Sequence, residues 1–208
     1  MENLEPFGII PIDYGALCTL YNQYRFPRNK IAALEKEGKI IRLKRGLYVV
    51  SPQVSRQLLS VELLANHLYG PSYVSMESAL RNYGLIPEQV YTVRSMTLNR
   101  SKKYKTSLGY FEYTTVPAAY YPIGIVQQIA GNGYTYLIAS PEKALCDLIT
   151  ATPGLRIQSP KAMRVYLEDD IRFDRTALRT LNPDLIRKCM ETGKKKNTLE
   201  FLFNTIRS

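Results

Sequence analysis

Residues 27–50, PRNKIAALEKEGKIIRLKRGLYVV, constrain the fold more than any other stretch, because a short amphipathic helix pattern runs directly into a basic, β-rich pair of segments. Ile31 and Leu34 mark the buried side of a helix expected over 28–37, and Gly38 suits its C-terminal cap. Segments 39–43 and 47–50 are β-rich, and Lys44, Arg45 and Gly46 form a tight turn between them in which Gly46 can take a positive φ. Ahead of this, Asp13 is an N-cap for a first helix on which Leu17, Leu20, Tyr21 and Tyr24 recur at i, i+3, i+4 and i+7. Pro27 stops that helix. Two short helices, a tight connection and a two-stranded ribbon predict a winged helix-turn-helix.

The same stretch concentrates charge. Between Arg25 and Arg45 eight Lys or Arg face two acids, Glu35 and Glu37, so this segment carries +6 of the chain's formal +10. At 100° per residue, Asn29, Ala32, Ala33 and Lys36 point away from the Ile31–Leu34 side, with Arg28 and Lys30 on the shoulders. Small alanines let a helix approach a groove wall, Asn29 suits an adenine edge, and Arg25, Arg28, Lys30 and Lys36 suit phosphates. Lys44 and Arg45 are expected at the wing tip, within reach of backbone phosphates or the minor groove. The competing reading makes Ala32 and Ala33 helix formers on a solvated face, and the basic turn merely solvated. The coincidence of helix, ribbon and charge favours double-stranded DNA as the partner.

At 208 residues the chain has room for two small domains. The Ser-, Gln- and Pro-bearing segment 51–60 places the boundary, giving a DNA-binding domain over 1–56 and a second domain over 57–208. The expected class is α+β: an N-terminal winged helix-turn-helix, then a mixed α/β domain with a helical C-terminal part. In the second domain, helices are expected over 61–69, 76–83 (capped by Ser75) and 141–150 (opened by Ser140-Pro141-Glu142), with strands at Tyr73-Val74 and 134–139. Segments 91–98 and 108–116 read as a long hairpin. Its connection holds Arg100, Lys102, Lys103 and Lys105, a second set of phosphate contacts or a solvated loop. Beyond Pro153-Gly154 helices are expected over 160–167, 175–181, 183–192 and 198–206, with Asp174, Asn182 and Asn197 as caps.

Several residue groups invite a catalytic reading and do not sustain it. His67 is the only histidine and has no neighbour at metal spacing. Glu142, Lys143 and Asp147 are explained by capping and solvation. So are the acids Glu168, Asp169 and Asp170, whose adjacent side chains diverge, and Lys194 to Lys196 read as a solvated loop or minor anion patch. Cys18, Cys146 and Cys189 show no disulfide or zinc spacing and are expected as buried reduced thiols. No phosphate-binding loop, dinucleotide fingerprint, nucleophile elbow or zinc-protease motif occurs, nor the Gly-Ser and Asp-x-Asp pieces of a nucleotidyltransferase. No enzyme, metal or cofactor is therefore expected. No apolar run approaches the length of a membrane span and no secretory signal opens the chain, so a cytoplasmic protein without membrane contact is expected.

Taken in order, the helix followed by KIIRLKRGLYVV, YVSMESALRNYGLIPE over 73–88, the β stretch ending GYFEYTTV and SPEKALCDLI over 140–149 resemble the AbiEi-type antitoxins of bacterial type IV toxin-antitoxin systems. The likeness covers nearly the whole chain. It implies a repressor that binds its own promoter through the N-terminal domain, and an antitoxin domain that counteracts a nucleotidyltransferase-like toxin, with or without a stable complex. It also implies DNA-contacting roles for Arg28, Asn29, Lys30, Lys36, Lys44 and Arg45. A stand-alone, ligand-responsive transcription regulator shares the same first domain, and a nucleic-acid-acting enzyme targeted by it is the remaining alternative.

Overall fold

A computed structural model describes residues 4–87 and 91–207. Residues 1–3, 88–90 and 208 lie outside the described part, and with them the start of the N-terminal stretch and Glu88 at the end of the second family phrase. The fold is mixed α+β, with one three-stranded and one six-stranded sheet.

The first helix, α1 (Tyr14–Leu20), starts where Asp13 accepts a hydrogen bond from the Ala16 amide at 2.8 Å. It ends earlier than the periodicity predicts, so Tyr21 still packs inward but Tyr24 is exposed. α2 (Pro27–Lys36) has Pro at its first position and buries Ile31 and Leu34. β1 (Ile12–Asp13), β2 (Ile40–Lys44) and β3 (Leu47–Val50) form the small sheet in the order β1-β3-β2, all antiparallel. Gly46 takes φ +81° in the β2–β3 turn, a conformation that costs a residue with a Cβ.

Side chains alternate across a strand, and β3 puts both of its faces to use. Tyr48 and Val50 join Ile12, Leu17, Ile31 and Leu34 in a small core under the two helices. Leu47 and Val49 point the other way and pack, with Ile9, Ile41 and Leu43, into the main core of the following residues. The expected division at 56/57 falls between α3 (Pro52–Ser55) and α4 (Val61–Leu68), but packing crosses it.

In the large sheet the order is β6-β7-β5-β4-β9-β8, from β4 (Ser72–Val74), β5 (Thr92–Thr97), β6 (Lys102–Thr106), β7 (Gly109–Thr115), β8 (Ile125–Ile129) and β9 (Thr135–Ala139). The long hairpin expected over 91–116 is not present. β5 and β7 are parallel neighbours, and the supposed basic loop is itself strand β6, paired antiparallel to β7. The reason is an alternation hidden by the lysines: Tyr104 packs onto Tyr69 and Tyr113, while Lys103 and Lys105 stay exposed. β8 is not among the strands expected from the sequence, because its IVQQI run is short and its two central glutamines break the apolar pattern.

Register shows how helices cover this sheet. Val74, Ser95 and Tyr113 lie side by side across β4, β5 and β7, and the Tyr113 hydroxyl donates to the Ala65 carbonyl of α4 at 2.7 Å. Tyr73 and Met96 share the opposite face, where Tyr73 meets α6 (Pro141–Ala151). Ser72, Tyr73 and Val74 are all buried, as expected of a strand covered on both sides. α5 (Met76–Asn82) packs against α6, followed by α7 (Pro160–Val165), α8 (Arg175–Leu178), α9 (Pro183–Thr192) and α10 (Lys196–Ile206). Asp174 and Asn182 cap α8 and α9 as expected. Asn197 does not cap α10, which starts one residue before it, after Lys195 in the left-handed conformation. No helix among the described residues is long and apolar enough to cross a membrane.

Candidate nucleic-acid interface

α2 holds its outer face clear of the core because Ile31 and Leu34 anchor the other side. Arg28, Asn29, Ala32 and Lys36 are exposed, whereas Lys30 and Ala33 are half-buried, with the Lys30 ammonium 5.6 Å from the centre of the Tyr24 ring. Arg25, just ahead of the helix, is exposed and lies 5.3 Å from the Phe26 ring centre. Between α2 and the β2–β3 hairpin lies a concavity of about 500 Å³ lined by Arg28, Ala32, Arg42 and Arg45, with Tyr14, Tyr48 and one acid, Glu35. None of these three arginines is ion-paired among the described residues.

Arg42 is not among the site residues expected from the sequence, yet it lines the same concavity as Arg28 and Arg45. It lies opposite Tyr48 in the ladder, on the helix-facing side of the hairpin just beyond the small core. Period-2 counting from Ile40 would have placed it there. Lys44 requires a correction. An irregularity in the ladder between Arg42 and Lys44 turns its side chain away from the tip, and its ammonium donates to the Leu68 carbonyl of α4 at 2.6 Å. That bond satisfies a carbonyl at a helix C-terminus, where a cation is favoured by the helix dipole. Arg45 remains exposed at the turn.

The second cationic set lies on β6, at the edge of the large sheet, and on the segment just before it. Arg100 is exposed, and its carbonyl accepts from the Tyr69 hydroxyl. Lys102 stands 5.5 Å and 5.0 Å from the Tyr69 and Tyr104 ring centres, Lys103 pairs with Glu112 at 2.8 Å, and Lys105 lies 5.6 Å from the Tyr110 ring centre. β6 approaches β2, and between them runs a groove of about 810 Å³ with Arg42, Lys44 and Lys105 among its walls. Arg42 and Glu35 thus border both concavities, and Lys105 brings the second basic set to the wall of this groove.

A polar cluster of another kind lies inside α6, and here the expectation of solvation fails. Glu142 is nearly buried, and Lys143 and Asp147 are fully so. Asp147 accepts hydrogen bonds from Ser75 Oγ at 2.6 Å and the Tyr73 hydroxyl at 3.1 Å, and its other oxygen lies 3.4 Å from Lys143 Nζ. Lys143 donates to the Tyr120 carbonyl at 3.0 Å and lies over the Tyr120 ring. A Cβ on Gly124, at φ +63°, would come within 2.9 Å of Lys143 Cβ, so glycine permits the chain to close over this lysine. Glu142 accepts from Ser140 Oγ and from the Asn182 amide, joining α6 to the start of α9. Ser75 makes no capping bond to α5, since its hydroxyl is turned to Asp147.

Burial pushes the Asp147 carboxyl up and the Lys143 ammonium down, and the opposite charge of each partner counters that shift. With both charges enclosed, the cluster has no open face toward a substrate and works as an internal clamp between β4, α5, α6 and the segment at Tyr120. Lys195 is likewise not part of a solvated loop: its ammonium donates to the Ile149 and Thr152 carbonyls at 2.9 Å and 2.6 Å, capping the end of α6. His67 is exposed on α4, and Glu168 pairs with Arg175 at 2.6 Å while Asp169 and Asp170 are exposed. Cys146 and Cys189 are buried free thiols, and Cys18 is partly exposed. Among the described residues no three His, Cys, Asp or Glu side chains converge as a metal site.

No family model matches the chain, and no curated protein shows significant similarity to it.

Proposed function

We propose that this protein binds double-stranded DNA through α2 and the β2–β3 hairpin, read as a winged helix-turn-helix. In this reading it represses its own promoter and counteracts a nucleotidyltransferase-like toxin in the manner of a type IV antitoxin. One observation carries the DNA part: Arg28, Arg42 and Arg45, none of them ion-paired among the described residues, surround the small-residue face of α2. Three arginines against the single acid Glu35 leave this concavity net positive beside a surface with room for a groove wall, which suits phosphates on both sides of a helix lying in the major groove. Asn29 is the base-reading residue, and Arg100, Lys102 and Lys105 extend phosphate contact along β6. The promoter and the toxin rest on the family phrases quoted above.

If about five phosphates are neutralised, the logarithm of affinity falls with the logarithm of salt concentration with a slope near −4 to −5. Asn29→Ala is expected to change the preferred sequence while leaving non-specific affinity nearly unchanged, measured by competition binding with the chain's own promoter fragment and a scrambled duplex. Equal loss on both duplexes makes Asn29 a positioning residue, and no loss on either removes α2 from the interface. Growth rescue on co-expression with the neighbouring gene product tests the antitoxin part separately.

A ligand-responsive regulator is the second reading, favoured by a cavity of about 220 Å³ beside Tyr120. It is walled by Met96, Thr114, Val116, Thr150 and Gly193, at the ends of β5, β7 and α6. A metabolite that raises the thermal midpoint and shifts promoter affinity, without rescue of toxin-expressing cells, would replace the first reading with this one.

A further inference from the structure

The two outer strands of the large sheet are defended very differently. β6 carries Lys102, Lys103 and Lys105, the usual protection of an open edge against pairing with another strand. β8, at the other end, reads Ile-Val-Gln-Gln-Ile with no charge and no proline. Val126 and Ile129 are exposed, Ile129 to 76%. Beyond its ladder to β9, no backbone bond from β8 is formed among the described residues. The bareness extends along the chain: the 29 residues between Glu112 and Glu142 contain no Asp, Glu, Lys, Arg or His, in a protein with 28 Lys or Arg and 18 Asp or Glu.

We propose that β8 is a self-association edge, at which two copies of this chain pair antiparallel about a two-fold axis and join their large sheets into one. A second copy is the occupant that the charge distribution selects. With a formal charge of +10, two copies repel each other over most of their surfaces, and a close approach is least opposed where neither presents a charge. A two-fold interface must also be self-complementary. In the register that pairs all five residues, Gln127 lies on the axis opposite its own copy, Val126 opposite Gln128, and Ile129 opposite Ile125. Ile125 packs against the main core, so this register extends that core across the junction and covers the exposed Ile129 of each copy. Opposed residues then share a face of the joined sheet, as an antiparallel ladder requires. The inference is independent of the DNA reading.

Sedimentation of the full-length chain over a dilution series tests it. The expected result is a concentration-dependent species of twice the 23.8 kDa chain mass. Gln127→Lys and Gln127→Glu each place like charges face to face on the axis and are expected to sediment as monomers. Gln127 is exposed, so both are expected to match the melting temperature of the wild-type chain at the dilute end of the series, where it too is monomeric. Mixing the two variants is expected to restore the double-mass species as a heterodimer. A wild-type chain that stays monomeric across the series overturns the proposal, as does a dimer that survives Gln127→Lys, or a mixture in which no heterodimer forms.

Discussion

α2 and α6 both present cations on an amphipathic helix with a proline at the first turn, and the structure gives them opposite fates. On α2 only Ile31 and Leu34 are fully buried, and Arg28 and Lys36 stand in solvent. Around α6 every residue from Glu142 to Ile149 is buried, because the helix is enclosed by the large sheet, α5 and α9. Lys143 accordingly finds a carboxylate, a carbonyl and an aromatic ring. Whether a lysine is free to meet a partner depends on how many elements pack around its helix, which a helical wheel of one segment cannot register.

That contrast is open to attack at several points. The largest effect is expected from Asp147→Ala, which leaves the buried ammonium of Lys143 without its counter-charge. Breaking such a pair typically costs about 3–5 kcal/mol, read from chemical denaturation. A double replacement, Lys143→Met with Asp147→Leu, is expected to recover much of the loss, since well-packed apolar residues often match a buried ion pair. If Asp147→Ala is nearly neutral, the pair is not enclosed and the contrast with α2 fails.

A smaller loss is expected for Lys195→Ala, which uncaps the end of α6. Two charge-assisted bonds to carbonyls go, but water can reach the site, so about 1–2 kcal/mol is expected in the same assay. Lys194→Ala, next to it and exposed, serves as the control and is expected to change stability by no more than about 0.5 kcal/mol.

Least change in stability is expected from the combined Arg28→Ala, Arg42→Ala and Arg45→Ala protein, within about 0.5 kcal/mol per site of the wild type. Its DNA binding is expected to weaken on all duplexes, with the salt slope reduced in magnitude by about 3. Lys44→Ala sharpens the distinction within the hairpin itself. Bonded to the Leu68 carbonyl, Lys44 is expected to affect stability more than the salt slope, the reverse of Arg45→Ala.

Local chemistry was readable in the chain where a single residue decides the outcome. Asp13, Ser140, Asp174 and Asn182 each accept the amide bond that starts a helix, and Ile31 with Leu34 fixes which side of α2 is covered. What could not be read involves residues far apart in sequence. β5 and β7 pair in parallel although only 11 residues separate Thr97 from Gly109, and β6 occupies the interval, so proximity in sequence pointed to the wrong partner. Ser75 looked like a cap, and its hydroxyl was taken by an aspartate 72 positions away. At the candidate interface, Arg28, Asn29, Ala32 and Lys36 could be placed from helical phase alone. Arg42 follows from strand alternation counted from Ile40, but Lys44 does not, because a ladder irregularity between them sends the two side chains to different neighbours.

The small sheet is a partition wall shared by two rooms, with Tyr48 and Val50 furnishing one and Leu47 and Val49 the other. A wall of this kind cannot tilt without disturbing what leans on each side. The angle between α2 and the β6 lysines is therefore set by packed side chains rather than by a tether. A ligand that spans both has to match that angle or spend part of its binding free energy on repacking two cores at once. For the proposed DNA partner, the shape of the duplex, and not only its charge, then becomes a criterion of fit.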